Sequence, residues 1–453
     1  MSGSGATVAL VLAAGLGTRM RSKTPKVLHP IAGKPLLAHV LDTCAAVGAR
    51  AVLVLSKESE PDRALANGAT VVLQEPPRGT GDAVQVALRA VTEQAGTAFV
   101  LYGDTALVRP ETLTRMRALL TERGAVMALM TADGGSDNAY GRVVRGPQGD
   151  VERIVEARFA SADELRIPEA NLGAYAIDLA WLRSAAAELT MNETGEVFLT
   201  DLVAIARRRG DTVAAHRLGD ADEGHGVNTR VELAHADAVL KRRIRERHML
   251  NGVTFVDPES SSVDAGVEIG PDALILRGSI LEGTTVVGSG TRIGPYSIVR
   301  DTKIGAGCVV EASVLEGATL EDEVRIGPFS HLRPGAYLER GVELGNFGEV
   351  KNARLRTKTK MHHFSYVGDA DIGERVNIGA GTITLNYDGV AKHRTTVGND
   401  AFIGSDTLLR APVTIGEGAA TGAGAVVTKD VPPGMLAVGM PARSIKKRTP
   451  PKK

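Results

Sequence analysis

The second half of the chain repeats an aliphatic residue at a strict interval of six. The series starts at Val263, slips by one position near Ile304, resumes from residue 320 to 344 and returns between residues 372 and 415. A six-residue period is neither that of a helix nor that of an ordinary strand, and small, acidic or glycine residues follow most of the aliphatic positions. The period therefore predicts a parallel β-helix, in which each hexapeptide forms one short strand and one turn.

Two stretches interrupt this repeat, at about residues 351–366 and 385–396. Both are rich in Lys, Arg, His, Asn and Tyr. Insertions in a solenoid leave as loops on one face, and that face is often the binding face. We therefore expect two loops that carry chemistry.

The first half, from residue 6 to about residue 227, alternates short aliphatic runs with amphipathic stretches. The runs VALVLAAG, AVLVLS, VVLQ, AFVLYGD and VMALM predict strands, and the segments from Pro35 to Val47 and from Gly81 to Ala95 predict helices. Aliphatic strands separated by helices are typical of a mainly parallel, Rossmann-like α/β sheet that is covered on both faces. In such sheets ligands bind at the carboxyl ends of the strands.

A helix is predicted at residues 229–250, between the two patterns. Thr229 and Glu232 have capping-box spacing, and the segment KRRIRER is charged nearly all round, so much of this helix should be solvated. We therefore expect an α/β domain at 1–230, a linker helix at 231–251 and the β-helix domain at 252–453.

The composition argues against several classes of protein. Lys plus Arg and Asp plus Glu both total 53, which gives no electrostatic pull toward nucleic acid or an anionic membrane. No apolar run reaches membrane-spanning length, and the apolar start lacks the basic region of a signal peptide. The two cysteines, Cys44 and Cys308, supply no disulfide framework and no cysteine metal site. We expect a cytoplasmic protein with no nucleic-acid partner and no membrane insertion.

A glycine turn and two cations follow the first strand, in LAAGLGTRM and then PKVLH. Gly15 and Gly17 allow a turn whose backbone N–H groups can face an anion. Met20 replaces the third glycine of a dinucleotide fingerprint, and the P-loop pattern GxxxxGK[ST] is absent. Arg19 and Lys26 beside such a turn suit a triphosphate whose charge grows as pyrophosphate leaves. A surface turn with solvated basic residues would have the same pattern.

Further polar residues stand where predicted elements begin or end. Asp104 follows the strand AFVLY, and Asn228 precedes the linker helix. Both side chains supply the oxygen donors that Mg²⁺ takes, although a cap or turn is a simpler role for either. The segment QEPPRGTGDA, with Gln74, Gly79 and Thr80, indicates a second nucleotide-contacting loop.

These motifs together resemble a known family. LAAGLGTRM, PKVLH, GTG, YGD, YGR, VE and GVN occur in the order typical of sugar-1-phosphate nucleotidyltransferases. With NFGEVKNARL, YVGDADIGERVNIGAGTITLNYDG and AFIGSDTLL, the chain resembles the bifunctional N-acetylglucosamine-1-phosphate uridyltransferase/glucosamine-1-phosphate acetyltransferases. The resemblance covers residues 6–440. It implies an α/β nucleotidyltransferase domain, a linker helix and a left-handed parallel β-helix of hexapeptide repeats.

The resemblance implies an enzyme of UDP-N-acetylglucosamine biosynthesis, which supplies cell-wall peptidoglycan and other envelope precursors. Acetyl-CoA and glucosamine 1-phosphate would give N-acetylglucosamine 1-phosphate, which with UTP would give UDP-N-acetylglucosamine and pyrophosphate. In the second reaction the sugar phosphate attacks the α-phosphorus of UTP in line, with Mg²⁺ as cofactor. The family also implies a homotrimer whose acetyltransferase sites lie between neighbouring subunits.

The resemblance assigns residues to the uridyltransferase site. The nucleotide contacts fall on Leu12, Ala13, Ala14, Gly15, Lys26, Gln74, Gly79, Thr80, Tyr102, Gly103 and Asp104. The sugar contacts fall on Gly141, Glu156 and Asn171. The Mg²⁺ ligands fall on Asp104 and Asn228, and Arg19 matches the family's transition-state arginine.

Acetyl transfer to a sugar amine needs a base, an anion site and a thioester held nearby. The resemblance aligns His363 with the catalytic base, and we expect Asn386 to orient it. The contacts to the amino sugar phosphate fall on Arg333, Lys351, Tyr366, Asn377 and Lys392. The acetyl-CoA contacts fall on Ala380, Asn386, Tyr387, Ser405 and Ala423.

The chain departs from the family pattern at three places. His362 stands where a small residue is common, so two adjacent histidines compete as the base. Gly439 stands where the family often has a CoA-binding arginine, and Arg443, Lys446 and Lys447 are the candidate replacements. The stretch LSKESEPDRAL is shorter than the family's loop and lacks its Gly-His-Gly.

Two other functions fit parts of this sequence. The β-helix could be only a trimerisation scaffold, which would leave a monofunctional sugar-1-phosphate nucleotidyltransferase. His363 and Ser405 argue against that function, because a scaffold needs neither. A non-catalytic sugar-nucleotide sensor is disfavoured by Asp104 and Lys26.

Overall fold

The computed structural model describes residues 5–15, 17–59, 68–134, 140–147 and 149–447. Most of the shortened stretch after Ser56 and the end of the basic tail lie outside the described residues. The chain divides into two compact units, Met1–Leu240 and Lys241–Lys453, and the division falls inside the helix predicted at residues 229–250. Within the described part of the chain, no helix has the length and apolar character needed to cross a membrane.

The first unit contains a sheet whose strands are separated mainly by helices. Its strands are β1 (Ala6–Leu12), β2 (Pro30–Ile31), β3 (Lys34–Pro35), β4 (Arg50–Leu55), β5 (Thr70–Leu73), β6 (Gly96–Tyr102), β7 (Ala125–Asp133), β8 (Arg142–Arg145), β9 (Val151–Val155), β10 (Glu169–Asp178) and β11 (Thr212–Arg217). Its helices are α1 (Leu36–Ala46), α2 (Thr80–Leu88), α3 (Pro110–Glu122), α4 (Ala162–Leu165), α5 (Leu179–Ala186) and α6 (Asp201–Arg209), and α7 (Arg230–Leu250) begins there. Turns of 3-10 helix lie at Thr18–Met20, Lys26–Leu28, Lys57–Ser59, Ala157–Phe159 and Ala221–Gly224.

Along the main path of this sheet four of the six strand pairs are parallel, which confirms the predicted fold class. The strand order is β11-β7-β10-β6-β1-β4-β5, and β10 is antiparallel to both of its neighbours. β1 pairs in parallel with β4 on one side and with β6 on the other. The chain moves from β1 to β4 and β5 before it crosses back to β6. The carboxyl end of β1 is therefore the switch point at which such sheets bind ligands.

Alternate residues of the central strands bury apolar side chains on opposite faces of the sheet. Val8 and Leu10 of β1 pack with the cluster that includes α2, α5 and α6, whereas Ala9 and Val11 pack with α1 and α3. All four side chains are fully buried. Burial on both faces explains why the strands read as continuous aliphatic runs rather than as alternating patterns.

The start of α7 is capped as the sequence predicts. The Glu232 carboxylate accepts hydrogen bonds from the backbone N–H groups of Thr229 at 2.7 Å and Asn228 at 2.8 Å. Thr229 Oγ1 accepts in return from the Glu232 N–H at 3.2 Å, which completes the capping box. Ala236 and Val239 are buried in an apolar cluster of the first unit. The first turns of α7 therefore fix the backbone of Asn228.

The second unit is a parallel β-helix with three faces, as the six-residue period predicts. The first face contains β12 (Thr254–Phe255), β15 (Leu274–Ile275), β18 (Arg292–Ile293), β21 (Val309–Val310), β24 (Arg325–Ile326), β27 (Glu343–Leu344), β30 (Lys360–Met361), β33 (Asn377–Ile378), β36 (Phe402–Ile403), β39 (Ala420–Thr421), β41 (Met435–Gly439) and β42 (Ala442–Lys447). The second face contains β13 (Ser262–Val263), β16 (Ile280–Glu282), β19 (Ile298–Arg300), β22 (Val314–Glu316), β25 (His331–Leu332), β28 (Gly348–Lys351), β31 (Ser365–Gly368), β34 (Ile383–Leu385), β37 (Leu408–Arg410) and β40 (Val426–Val427). The third face contains β14 (Glu268–Ile269), β17 (Val286–Val287), β20 (Lys303–Ile304), β23 (Thr319–Leu320), β26 (Tyr337–Leu338), β29 (Arg354–Leu355), β32 (Ala370–Ile372), β35 (Thr395–Val397) and β38 (Val413–Ile415).

Each coil places aliphatic side chains inside, in register with those of the next coil. On the second face Val263, Leu281 and Val299 are aligned and fully buried. Glycine is required at some turns because coils approach closely there: a Cβ on Gly288 would lie 2.4 Å from the carbonyl carbon of Gly305. We call the turns between the first and second faces the first corner, and those between the second and third faces the second corner.

The stretch at residues 351–366 is not a loop, contrary to the expectation from the sequence. The coil continues through it in β28 to β31, and Leu355 and Met361 are fully buried at inward positions. Inward residues there are spaced by five or six, and polar residues fill the outward positions, which hides the repeat. The other stretch does leave the coil. Residues 386–394 join β34 to β35 as a loop with an isolated bridge between Tyr387 and Lys392.

We expect inward and outward positions of one strand to respond differently to the same substitution. Val287 of β17 is 2% exposed, whereas its neighbour Val286 is 37% exposed. Val287→Ala should destabilise the second unit by about 2 kcal/mol, because two buried methyl groups are lost and a cavity remains. Val286→Ala should cost less than about 0.5 kcal/mol, as is usual for surface substitutions. Scanning calorimetry measures both, and equal shifts in melting temperature would contradict the inward assignment.

Candidate functional sites

A cavity of about 420 Å³ lies at the carboxyl end of β1, where β4 and β6 flank it. Most of the residues that line it come from the ends of β1 and β6, the start of α2, β10 and the segment before α7. They are Leu12, Ala13, Ala14, Gly15, Lys26, Val27, Gln74, Pro77, Gly79, Thr80, Ala83, Tyr102, Asp104, Thr105, Tyr140, Gly141, Glu156, Asn171, Leu172, Gly173, Thr200, Gly226 and Asn228.

The cavity brings together nearly all of the residues that the sequence assigns to the uridyltransferase site. The two that do not line it lie beside it. A Cβ on Gly103 would lie 2.9 Å from the Ala13 side chain, so this glycine lets β6 end close behind the turn after β1. Arg19 donates through Nη2 to Asn228 Oδ1 at 2.9 Å.

Two cations converge on two oxygen donors at one side of the cavity. Lys26 Nζ donates to Asp104 Oδ2 and, at 3.1 Å, to Asn228 Oδ1, which also accepts from Arg19. The Lys26 and Asp104 side chains are only 14% and 12% exposed. A carboxylate and an amide oxygen that already share one cation form a donor set that suits a hard divalent cation. Protein ligands are few here, and such a cation takes its remaining oxygens from water and phosphate.

The glycine turn after β1 presents free backbone donors. The Ala13 N–H donates to Val54 O at 2.8 Å, whereas the N–H groups of Ala14 and Gly15 have no hydrogen bond among the described residues. Gly17 has a φ of 59° and lies against Lys26: a Cβ on this glycine would be 2.6 Å from that of the lysine. The turn can therefore bind an anion next to the Lys26 ammonium, as predicted.

The second predicted loop is held at the start of α2. Gln74 Nε2 donates to Gly79 O at 2.9 Å and to Asp82 Oδ2 at 2.7 Å. Gly79 has a φ of 104°, and a Cβ there would lie 2.6 Å from Val197 O, so only glycine fits. Thr80 Oγ1 accepts from Leu199 N at 3.1 Å.

The far wall of the cavity carries hydrogen-bonding groups that are either neutral or negatively charged. Glu156 Oε1 accepts a hydrogen bond from Thr200 Oγ1 at 3.0 Å. Asn171 Nδ2 donates to the Tyr175 hydroxyl at 2.8 Å. Burial, with the charges of Glu156 and Asp104, holds the pKa of Tyr102 well above its usual value, so its hydroxyl stays neutral. This wall suits the hydroxyl and amide groups of a sugar.

Sequence reasoning missed several residues of the cavity, among them Thr105, Tyr140, Leu172, Gly173, Thr200 and Gly226. Tyr140 accepts from the Gly226 N–H at 3.1 Å and so holds the segment that precedes Asn228. Gly173 has a φ of 76°, and a Cβ there would lie 2.2 Å from the Tyr102 ring. The only signal in the sequence was the glycine itself, because β10 reads as an ordinary strand.

One group of predicted acetyltransferase residues lies on the first corner of the β-helix. The turns that carry His363, Ala380, Ser405 and Ala423 follow one another there, coil by coil. Backbone bonds stack these turns, with Asp406 N donating to Ala380 O at 2.6 Å and Gly424 N to Ser405 O at 2.8 Å. Asn377 lies on the neighbouring first face, aligned with Lys360 and Phe402.

A second group lies toward the second corner. Lys351 ends β28 beside Gly368, and Tyr366 lies two residues earlier on β31. Contact with Lys351 and repulsion from its charge lower the pKa of Lys392. Arg333 Nη1 donates to Glu349 at 3.1 Å. The corner therefore presents a cationic patch that suits a phosphate.

The two adjacent histidines have different surroundings. The His362 Nε2 atom lies 2.7 Å from Glu343 Oε2, and this contact helps to keep the pKa of Glu343 low against the opposing effect of burial. His363 is exposed, and its imidazole has no hydrogen-bond partner among the described residues. Asn386 Nδ2 donates to Asp369 Oδ2 at the second corner, whereas His363 lies on the first corner. A single chain therefore does not bring these two residues together, and the orienting role of Asn386 stays a prediction.

The end of the described chain forms a hairpin of β41 and β42. Gly439 ends β41 with a φ of 94°, and Arg443, Lys446 and Lys447 lie on β42. All three cations are exposed. Tyr387, in the loop at 386–394, is 59% exposed and donates to Gly389 O at 2.7 Å.

Comparisons with known proteins agree with this architecture. The MobA-like NTP transferase domain family matches residues 9–220, and the bacterial transferase hexapeptide family, with six repeats, matches residues 394–429. The bifunctional protein GlmU of Heliobacterium modesticaldum is 44% identical over 441 residues, which are 97% of this chain and 96% of the relative. GlmU of Alkalilimnicola ehrlichii is 45% identical over 439 residues, 96% of this chain and 94% of the relative. GlmU of Mycolicibacterium vanbaalenii is 44% identical over 448 residues, which are 96% of this chain and 91% of the relative.

These relatives are more than 40% identical to the chain over more than 90% of both lengths. The nucleotidyltransferase and hexapeptide families match the two units in the same order. The chain therefore belongs to the GlmU family of bifunctional transferases, with a nucleotidyltransferase unit followed by a left-handed β-helix of hexapeptide repeats.

Proposed function

We propose that the cavity of the first unit is the uridyltransferase site, where UTP and N-acetylglucosamine 1-phosphate give UDP-N-acetylglucosamine and pyrophosphate. The observation that carries this proposal is the arrangement of Lys26 and Arg19 around Asn228, beside the free amides of Ala14 and Gly15. Such a set of fixed cations and N–H donors suits a triphosphate better than it suits a neutral ligand.

Positioning and electrostatics carry this reaction. The amides of Ala14 and Gly15 and the Lys26 ammonium hold the phosphate chain in line with the attacking sugar phosphate. Arg19 neutralises the charge that develops on departing pyrophosphate. Mg²⁺ held by Asp104 and Asn228 would bind phosphate oxygens and draw electron density from the α-phosphorus.

The far wall of the same cavity would bind the sugar. Glu156, already hydrogen-bonded to Thr200, and the amide of Asn171 supply partners for hydroxyl and acetamido groups. Gly141 also lines this wall, and a Cβ there would lie 2.8 Å from the Ile154 side chain, so a larger residue would disturb the packing of the wall.

In the second unit, His363 would be the base for transfer of the acetyl group from acetyl-CoA to glucosamine 1-phosphate. It takes the amine proton as the nitrogen attacks the thioester carbonyl, and the CoA thiolate leaves. The unpaired imidazole of His363 supports this role, since that of His362 contacts Glu343. Lys351 and Lys392 would hold the sugar phosphate.

The active assembly would be a homotrimer. His363 precedes β31 and Gly368 ends it, so the base and the cationic patch stand at opposite ends of one strand. A neighbouring copy could bring one corner to the other. The first corner also carries exposed aromatic rings, and those of Phe329 and Phe347 stack at 5.4 Å. Exposed apolar patches of this kind mark association surfaces.

The two activities would reside in separate parts of the chain: residues 1–230 for uridyltransfer and 252–453 for acetyl transfer, joined by the helix at 231–251. The product would supply peptidoglycan and other envelope precursors from the cytoplasm. The buried contacts of Ala236 and Val239 extend the support of the first site into that helix.

We expect Asp104→Ala to lower uridyltransfer by orders of magnitude, because it removes a carboxylate that the metal and Lys26 share. Acetyl transfer, assayed on the same sample, should not change. Asp133→Ala is a matched control: Asp133 also ends a strand of this sheet, but it lies outside the cavity. Equal loss of both activities would indicate misfolding, and full uridyltransfer in EDTA would contradict a metal-dependent mechanism.

The choice between the two histidines is tested by kcat for acetyl transfer. We expect His363→Ala to lower kcat by about 10²–10⁴-fold, the usual contribution of a general base, with uridyltransfer unchanged. His362→Ala should have little effect. Light scattering checks that each variant keeps its oligomeric state. If His362→Ala proves the crippled variant, or if neither loses more than about threefold, the assignment of the base is wrong.

We expect Gly173→Ala to weaken UTP binding by about tenfold or more, because the new methyl group would displace Tyr102 from the cavity wall. Gly195→Ala is a matched control with a similar φ, 81° against 76°, and open space around its Cβ. It should share the backbone strain but not the loss of affinity. Calorimetric titration with UTP measures both, and equal weakening would show that backbone strain alone matters.

A further inference from the structure

Asp369 lies at the second corner and contacts both β28 and the loop at 386–394. Its carboxylate accepts from Asn352 Nδ2 through Oδ1 at 2.6 Å and from Asn386 Nδ2 through Oδ2. The Asp369 N–H donates to Lys351 O at 3.0 Å, and Asp369 O accepts from the Thr395 N–H at 3.1 Å. Asn386 is the first residue of the loop at 386–394 and Thr395 directly follows the loop, so Asp369 fixes both ends of the loop and the end of β28.

The carboxylate is built into the fold. Asp369 is 7% exposed, and its φ of 49° is in the left-handed region, as is that of Asn352 at 44°. Asn and Asp tolerate this region better than other side chains do. Burial opposes ionisation, but hydrogen bonds from Asn352 and Asn386 and the charges of Lys351 and Lys392 outweigh it and keep the pKa of Asp369 below its usual value.

An ionised carboxylate can only accept hydrogen bonds, so it dictates which way each amide points. Asn386 must turn its NH₂ group toward Asp369, and its Oδ1 then faces away from the carboxylate. Asn386 is 8% exposed, and its amide also lies 3.4 Å from the Tyr366 hydroxyl, which leaves little freedom to rotate. Without the carboxylate, the amide could present either NH₂ or oxygen to the substrate.

We propose that Asp369 is a positioning residue of the acetyltransferase: it locks the Asn386 amide so that its oxygen is presented as the acceptor for a substrate N–H group. This inference rests on the proposed place of Asn386 in the acetyltransferase site. Acetyl-CoA carries amide N–H groups and glucosamine 1-phosphate carries an amine, so both substrates offer such a donor. The same carboxylate balances the charges of Lys351 and Lys392.

The test uses Asp369→Asn and the double variant Asn352→Asp with Asp369→Asn, in the full chain. The single substitution leaves one side-chain oxygen at position 369 for two amide donors, so the lock on Asn386 is lost. We expect kcat/KM for acetyl transfer to fall by about 10- to 100-fold, as when a supporting hydrogen bond to a working group is removed. In the double variant, the carboxylate introduced at position 352 would accept from the new NH₂ group at position 369 and turn the amide oxygen there back to Asn386. Activity should then recover to within about threefold of the native chain.

Uridyltransfer and the melting temperature of each variant serve as controls for folding. Loss in Asp369→Asn without recovery in the folded double variant would overturn the proposal, as would an Asp369→Asn variant within about threefold of the native chain. If Asp369→Asn does not fold, the test rests on the folded double variant: acetyl transfer within about threefold of the native chain supports the proposal, and a larger loss overturns it. Asn386→Ala separates this inference from the site assignment. Unchanged acetyl transfer in Asn386→Ala would refute the assignment itself, whereas its loss beside an active Asp369→Asn would refute only the role of Asp369.

Discussion

Parallel pairing in register determines where the functional groups of each unit lie. In the first unit β1 and β6 pair so that Leu12 lies beside Tyr102, which brings the glycine turn and Asp104 to one edge of the sheet. In the second unit Lys351 lies beside Gly368, so that the functional residues of one coil lie directly above those of the next. A shift of one residue would exchange inward and outward side chains in the β-helix, and in the first unit it would move each side chain to the opposite buried face of the sheet. Apolar burial at the inward positions therefore fixes the sites as well as the core.

Local periodicity made much of the fold predictable. The aliphatic runs of the first half and the six-residue period of the second each repeat a single physical requirement, burial of one face or one interior position. The misinterpretation of residues 351–366 has the same origin. Leu355 and Met361 meet the requirement, but five-residue spacings and polar outward side chains conceal it. A high content of charged residues describes only the outer surface of a coil, whereas the inward apolar residues determine whether the chain continues the β-helix.

Site residues with charged or otherwise reactive side chains were predictable from the sequence. Residues that reach a site only because segments far apart in sequence pack together were less predictable. Lys26 and Asp104 could be expected at one strand edge because parallel strands end together. Gly173 and Thr200 could not, since their place in the cavity depends on the packing of segments far apart in sequence. Asn386 shows what the sequence leaves open: its chemistry suits an orienting role toward His363, but within one chain it lies on the other corner and donates to Asp369.

The two sites hold their cations in different ways, and the difference follows from burial. Lys26 rests on Asp104, a buried carboxylate that cannot be left unpaired without a large desolvation penalty. Under the proposed function, Lys26 would turn to a phosphate as another cation takes over Asp104, which would link the binding of anion and cation in the first unit. Asp369 keeps two amide donors of its own, so Lys351 can engage a phosphate without stripping that carboxylate. Under the proposed function, the first site would rearrange its charges on binding, whereas the charges at the second corner are already balanced before binding. That contrast suits a reaction between polyanions in one unit and attack by a neutral amine in the other.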